Sequence, residues 1–228
     1  MFHCVMFDLG HVLMPFYNQK FFDFVKAHQA LGAIGSERFL DLACVMRFDI
    51  GDIGPGEFFS ETTRHLQLVN VNEEDFWLHF CGVMEPDLKM LALKRMLKEN
   101  GFKLALVSNI NETHFEYARL KYPDVFTDFD YLSLSFQLHV RKPNLKMYRI
   151  PAERLGAKPE ECLLIDDMQI NIDAFERWGG AGHHYNVVND AFCQNGRLEE
   201  ERRKLLLRMV NLGMLSLNQA GGIMRIDF

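Results

Sequence analysis

Residues 2–10 read Phe2-His3-Cys4-Val5-Met6-Phe7-Asp8-Leu9-Gly10. A short, largely apolar run that stops at a carboxylate and a glycine reads as a strand buried on both faces, the kind found in parallel sheets covered by helices. Similar runs recur. Lys103-Leu104-Ala105-Leu106-Val107 stops at Ser108-Asn109, and Cys162-Leu163-Leu164-Ile165 stops at Asp166-Asp167. Tyr131 to Ser135 is a weaker candidate, and residues 183–188, from His183 to Val188, form a fifth. Helical patterns fall between them. Leu88, Leu91, Ala92 and Met96 share a face ahead of Gly101, residues 112–121 follow Asn111 as an N-cap, and residues 171–177 precede Gly179-Gly180. Strand–helix alternation predicts an α/β fold, a doubly wound, Rossmann-like parallel sheet with helices on both faces.

Residues 16–84 break the alternation. They hold no strand pattern. Phe21, Phe24, Val25 and Leu31 fall on one helical face, and Phe39, Leu42, Ala43 and Met46 on another. Gly51, Gly54, Pro55 and Gly56 punctuate before helices over 57–66 and 73–81. The expected organisation is therefore a core of residues 1–15 and 85–190, a helical insertion over 16–84, and a helical extension over 191–228. In that extension Leu198, Leu205, Met209 and Leu212 lie near one stripe ahead of Gly213. Such a stripe serves either packing on the chain's own core or a homodimer contact.

Composition narrows the function classes. The 228 residues are 48% hydrophobic and 25% charged, which excludes a disordered chain. The net charge of −6, with its densest charge run, residues 199–204, of mixed sign, argues against a nucleic-acid partner. No stretch is apolar for long enough to span a membrane. Cys4, Cys44, Cys81, Cys162 and Cys193 are an odd set with no C-x-x-C pair, so reduced thiols and a cytoplasmic setting are expected.

Open parallel sheets bind ligands beyond the carboxyl ends of their strands. Asp8, Ser108 and Asp166-Asp167 follow directly on apolar strands there, and Lys142 lies in a loop between them. A carboxylate at a strand tip can act as a nucleophile. Carboxylates that converge need a cation between them, and hard oxygen ligands favour Mg²⁺. A serine hydroxyl and a lysine ammonium suit phosphoryl oxygens. Each feature alone is commoner as a turn or a cap. The ordered set is what points to chemistry.

Four segments carry a resemblance. Phe7-Asp8-Leu9-Gly10-His11-Val12-Leu13, Val107-Ser108-Asn109, residues 141–148 (Arg141-Lys142-Pro143 onward to Tyr148) and residues 164–174 (around Asp166-Asp167 and Asn171) resemble, in that order, the four motifs of the haloacid dehalogenase-like hydrolases. The insertion stands where that superfamily places its type-1 helical cap. Residues 48–53 and 57–59 resemble cap segments of the subgroup holding sugar-phosphate phosphatases and the N-terminal phosphatase of soluble epoxide hydrolase. The resemblance implies Asp8 as nucleophile and Mg²⁺ ligand, with the Gly10 carbonyl and Asp167 as further ligands. Asp166 is implied as a ligand or as a group behind the ligands, like Asn171. Ser108 and Asn109 would hold the phosphoryl group, and Lys142 would neutralise it and orient Asp8.

The chain departs from the phosphatase pattern at Gly10, where the superfamily usually has a second Asp as general acid and base. His11 is the substitute to consider, since its pKa suits proton transfer, with a structural histidine in the turn as the alternative. Phe16, Tyr17, Phe21 and Phe22 are expected either to line a pocket or to fill a helical core. The expected function is a Mg²⁺-dependent phosphatase of a small phosphorylated, sugar phosphate-like metabolite. The alternatives are a 2-haloacid dehalogenase using Asp8 on carbon, and a catalytically weak member that binds a phosphometabolite or a protein.

Overall fold

The computed structural model describes residues 2–30, 39–40, 42–187 and 195–226. Strand β1 (Cys4–Phe7) is followed by four helices, α1 (Asn18–His28), α2 (Ala43–Asp49), α3 (Pro55–His65) and α4 (Glu73–Cys81). Then come α5 (Leu88–Glu99), β2 (Lys103–Ser108), α6 (Glu112–Lys121), α7 (Pro123–Phe126), β3 (Tyr131–Leu134), α8 (Ser135–Leu138) and α9 (Lys146–Leu155). The chain continues through β4 (Cys162–Asp166), α10 (Gln169–Arg177), β5 (Ala181–His184), α11 (Asn195–Asn211) and α12 (Leu217–Met224).

All strand pairings are parallel, in the order β3-β2-β1-β4-β5. Alternate side chains of the central strands enter two separate cores. Val5, Phe7, Leu104, Leu106, Leu163 and Ile165 face one side, towards α5, α6 and α11. Cys4, Met6, Ala105, Val107, Cys162 and Leu164 face the other, against Met147 and Tyr148 of α9 and Phe175 of α10. Both faces are covered, which is why the strands read as apolar runs without alternation. The fold is the α/β, doubly wound sheet expected from the sequence.

The strand order reverses at β1, so the carboxyl ends of β1, β2 and β4 open a crevice at the topological switch point. The helical insertion lies between β1 and α5, and its core is aromatic. Phe48 stacks on Phe58 at 4.2 Å, and Phe21 and Phe39 meet edge to face at 5.0 Å. These rings account for much of the chain's use of phenylalanine.

Two local expectations change, and Leu31 of the first expected face lies outside the described residues. The face proposed through Phe39, Leu42, Ala43 and Met46 does not form, because α2 starts only at Ala43; it buries Cys44 and Phe48 and leaves Met46 exposed. The fifth strand is Ala181–His184, earlier than 183–188, and Val188 lies outside the described residues. Gly182 sits under α10, and a Cβ there would meet Ile172 at 2.5 Å. The close packing that needs glycine removes the apolar signal of a strand. Helix α9 runs through Pro151, a residue whose local propensity argues against a helix interior.

Helix α11 packs on the chain's own core. Leu205, Leu206 and Met209 are buried, and Arg202 donates from Nε and Nη2 to Asp87 Oδ2 at 3.1 and 2.6 Å. Asp87 Oδ1 in turn accepts from the backbone N–H of Lys89 and Met90 and so caps α5. Among the described residues, no helix is long and apolar enough to cross a membrane. Cys4, Cys44, Cys81 and Cys162 are buried free thiols, and Cys193 lies outside the described residues.

Candidate active site

Asp8 extends β1 by one residue, its N–H donating to the Ile165 carbonyl at 2.9 Å. That places it beside Asp166, the last residue of β4. Lys142 arrives from the loop before α9 and joins the two carboxylates. Its Nζ lies 2.7 Å from Asp8 Oδ1 and 2.7 Å from Asp166 Oδ2. Asp8 Oδ1 also accepts from the Leu9 N–H at 2.7 Å. Asp166 is fully buried, and its Oδ1 accepts from the Met168 N–H at 2.9 Å and from Asn171 Nδ2 at 2.8 Å. Asp167 points into the same cleft, and its backbone carbonyl is held by His184 Nε2 at 2.9 Å. Ser108, buried at the end of β2, completes the floor.

The electrostatics follow from burial. Desolvation pushes the Asp8 carboxyl well up, as do the neighbouring Asp166 and Asp167, with Lys142 opposing. Burial likewise raises Asp167. Burial works against the Lys142 charge, but Asp166 and Asp8 outweigh it and hold the ammonium above its ordinary value. One oxygen from each of Asp8, Asp166 and Asp167 can be chosen so that all three lie within 4.8 Å of one another. Three carboxylates against one ammonium leave the cluster short of positive charge, and every donor is a hard oxygen. The residues fit Mg²⁺.

Other expected residues take more specific places. The Asn109 side chain clamps the Lys142 backbone. Its Oδ1 accepts the Lys142 N–H at 2.8 Å and its Nδ2 donates to the Lys142 carbonyl at 3.3 Å. Gly10 and His11 both line the cleft. His11 has φ +58°, and burial lowers its pKa against the pull of Asp167. Phe16, Phe21 and Phe22 line the cleft, whereas Tyr17 lines a separate groove with Pro86 and Arg202. Arg47 is engaged by Glu57 and Glu61, each at 2.8 Å.

A family model for haloacid dehalogenase-like hydrolases matches residues 13–179. The chain belongs to this family. Among curated relatives of this hydrolase, the sesquiterpene phosphatase astK of Aspergillus oryzae is 24% identical over 183 residues, 80% of this chain and 89% of astK. Among solved structures, the HAD family enzyme bt-2542 of Bacteroides thetaiotaomicron, in complex with magnesium and inorganic phosphate, superposes with a TM-score of 0.71. It is 20% identical, and the match covers 83% of this chain and 97% of bt-2542. A HAD-like family hydrolase of Porphyromonas gingivalis gives a TM-score of 0.70 at 25% identity, over 81% and 91% of the two chains.

Three sets of contacts in this hydrolase's site follow from no local sequence pattern. Arg141 Nη2 reaches Asp49 Oδ2 of the insertion at 3.5 Å, and Asn111 Nδ2 reaches Asp49 Oδ1 at 3.4 Å. Burial raises the Asp49 pKa to about 6, with Arg141 and Asn111 opposing. His114 of α6 bonds the Phe80 carbonyl through Nε2 at 2.8 Å and meets Asn111 Nδ2 through Nδ1 at 3.0 Å. That network assigns the Nε2–H tautomer. The third is the Phe16 ring over Gly10: a Cβ on Gly10 would lie 3.2 Å from Phe16 Cε2. The sequence shows an aromatic six residues on but nothing of its direction.

Proposed function

We propose that this hydrolase is a Mg²⁺-dependent phosphatase of a small phosphorylated metabolite and that Asp8 is its nucleophile. One observation carries the reading: Lys142 joins Asp8 to Asp166 at the ends of two neighbouring strands, with Ser108 on the third, in a buried cleft. Asp8 attacks phosphorus. A P–O bond forms to its carboxylate as the ester P–O bond breaks and the alcohol leaves. Water then attacks the aspartyl-phosphate, returning the Asp8 carboxylate and inorganic phosphate. Lys142 holds Asp8 in line and offsets charge on the phosphoryl oxygens, and the Ser108 hydroxyl donates to them. Asn109 acts by fixing the Lys142 loop.

Asp8, the Gly10 carbonyl and Asp167 are our ligands for Mg²⁺, which supplies charge neutralisation for the phosphoryl group and relief of carboxylate repulsion. Asp166 already serves Lys142, Met168 and Asn171, so we give it the positioning role. His11 is the group at hand for the proton transfers that position 10 does not serve. Residues 16–84 act as the cap that excludes water, over a core of 1–15 and 85–190. The astK relative, itself a phosphatase by name, supports this reading. The absent side chain at position 10 favours a second one, in which Asp8 displaces halide from carbon, but the three-carboxylate cluster opposes it.

Phosphate release from aryl and alkyl phosphates with and without Mg²⁺, beside halide release from 2-chloropropionate, separates the two. Phosphate release that requires Mg²⁺ is the expected result. Halide release without metal supports the second reading.

A further inference from the structure

We propose that the phosphoester cleaved here is that of an apolar alcohol, seated against the insertion, and not that of a sugar. The inference takes its phosphoryl end from the phosphatase reading above and adds the class of the leaving group.

A cavity of about 290 Å³ opens from Asp8, Ser108 and Lys142 towards the insertion, near the lower end of the range for small-molecule sites, about 300 Å³. Two sets of apolar side chains border it. Phe21, Phe39, Phe48, Phe58 and Phe80 are buried and form the insertion's own core. Phe16, Phe22 and Val45 are only partly buried and Leu40 is 54% exposed, yet all four line the cavity. Phe16, Phe22 and Val45 pack against the core with part of their surface only, and the rest stays uncovered on the cavity side. This second set keeps apolar surface in water that an apolar ligand would cover.

On the insertion's side of the cavity polar groups are few among the described residues. Among the described residues that line the cavity, the insertion contributes only Asn18 and Asp49 as polar groups beyond the turn after β1. Asp49 already faces Arg141 and Asn111, so its charge is answered within the protein. His114 is committed to Phe80 and Asn111. A sugar carries a hydroxyl on nearly every carbon, and each one taken from water without a partner weakens binding. An alkyl chain gains about fourfold in affinity per buried methylene. At position 10, where a side-chain carboxylate would add a polar contact, the Phe16 ring fills the space. Among the described residues, the insertion's side of the cavity is mostly apolar, with Asn18 and Asp49 as its polar groups.

Hexyl phosphate and glucose 6-phosphate are matched probes, since both are six-carbon esters of primary alcohols. Titration calorimetry of the Asp8→Asn variant with each, with butyl phosphate and with inorganic phosphate, reads affinity without turnover. The expected order is hexyl, then butyl, then glucose 6-phosphate, with hexyl about tenfold or more tighter than butyl. Phe22→Asn and Val45→Asn should each weaken hexyl phosphate by about threefold or more and leave glucose 6-phosphate within about twofold. Comparison of two ligands on one protein removes misfolding as an explanation. Glucose 6-phosphate binding as tightly as hexyl phosphate overturns the proposal, as does equal affinity for butyl and hexyl, or no binding of hexyl phosphate.

Wild-type turnover separates this proposal from the reading it rests on. If the affinity order holds but no ester releases phosphate, the phosphatase reading fails and the apolar ligand class stands. If phosphate is released and glucose 6-phosphate is the better substrate, the phosphatase reading stands and this inference fails.

Discussion

The Phe16 ring lies where a side chain at Gly10 would extend, 3.2 Å from the position of a Cβ on that residue. The two positions are therefore coupled. Gly10→Ala is expected to destabilise the wild type by about 1 kcal/mol through overpacking. In a Phe16→Ala background the same change should be neutral or stabilising by up to about 1 kcal/mol, because alanine restricts the unfolded chain. A double-mutant cycle by urea denaturation checks this, and additive changes would show that the ring does not hold that space.

Lys142 serves two carboxylates, and its loss should separate stability from activity. Lys142→Met leaves the fully buried Asp166 without its cation and should cost about 3 kcal/mol. Turnover should fall by about 10²-fold or more, because the charge on the phosphoryl oxygens is also lost. Adding Asp166→Asn should recover part of the stability and none of the turnover. Denaturation curves and phosphate release on the two variants test both halves.

How much of this site the sequence discloses depends on the range of each interaction. Asp8, Ser108 and Asp166 are legible because each ends an apolar run, and the run itself forms the strand that carries it. Lys142 is legible only through its motif, since its loop is fixed from a distance by Asn109. The Phe16–Gly10 contact, the His114–Phe80 bond and the Asp49–Arg141 pair were hidden, because each joins elements whose relative placement no local pattern encodes. Helix α9 and the position of β5 were obscured by Pro151 and Gly182, residues chosen for tertiary fit against local propensity.

The buried His114 ties stability to pH. Burial pushes its pKa down to about 4, against the opposing Phe80 carbonyl, whereas an unfolded histidine titrates near about 6.5. Between those values the unfolded chain binds a proton that the native state refuses, so stability falls as pH falls from about 6.5 to 4. The slope from this one group is at most about 1.4 kcal/mol per pH unit. His183, also pushed down to about 4 by burial, acts in the same sense. Asp49, raised to about 6 by burial, acts in the opposite sense below that pH, since its native form keeps a proton that the unfolded chain releases. Unfolding free energies at several pH values for wild type and His114→Gln isolate the first contribution. The variant should show the shallower loss on acidification, and an unchanged slope would place His114 outside this linkage.

Besides its buried apolar side chains, α11 is tied to the start of α5 by the buried Arg202–Asp87 pair. Arg202→Ala leaves Asp87 buried and unpaired and should destabilise by about 3 kcal/mol or more. Arg202→Ala with Asp87→Asn should be less damaging than Arg202→Ala alone, because the buried charge is removed while an amide oxygen still caps α5. Thermal or denaturant unfolding of the two variants decides it.

In the proposed reaction Asp8 becomes the phosphorylated residue. Rapid acid quench of the enzyme turning over hexyl phosphate with Mg²⁺, followed by peptide mass mapping, reads this directly. The predicted result is one phosphoryl group on the peptide that contains Asp8, with neither the group nor turnover in Asp8→Asn. Full turnover in Asp8→Asn, or a phosphoryl group trapped on a different residue, would contradict it.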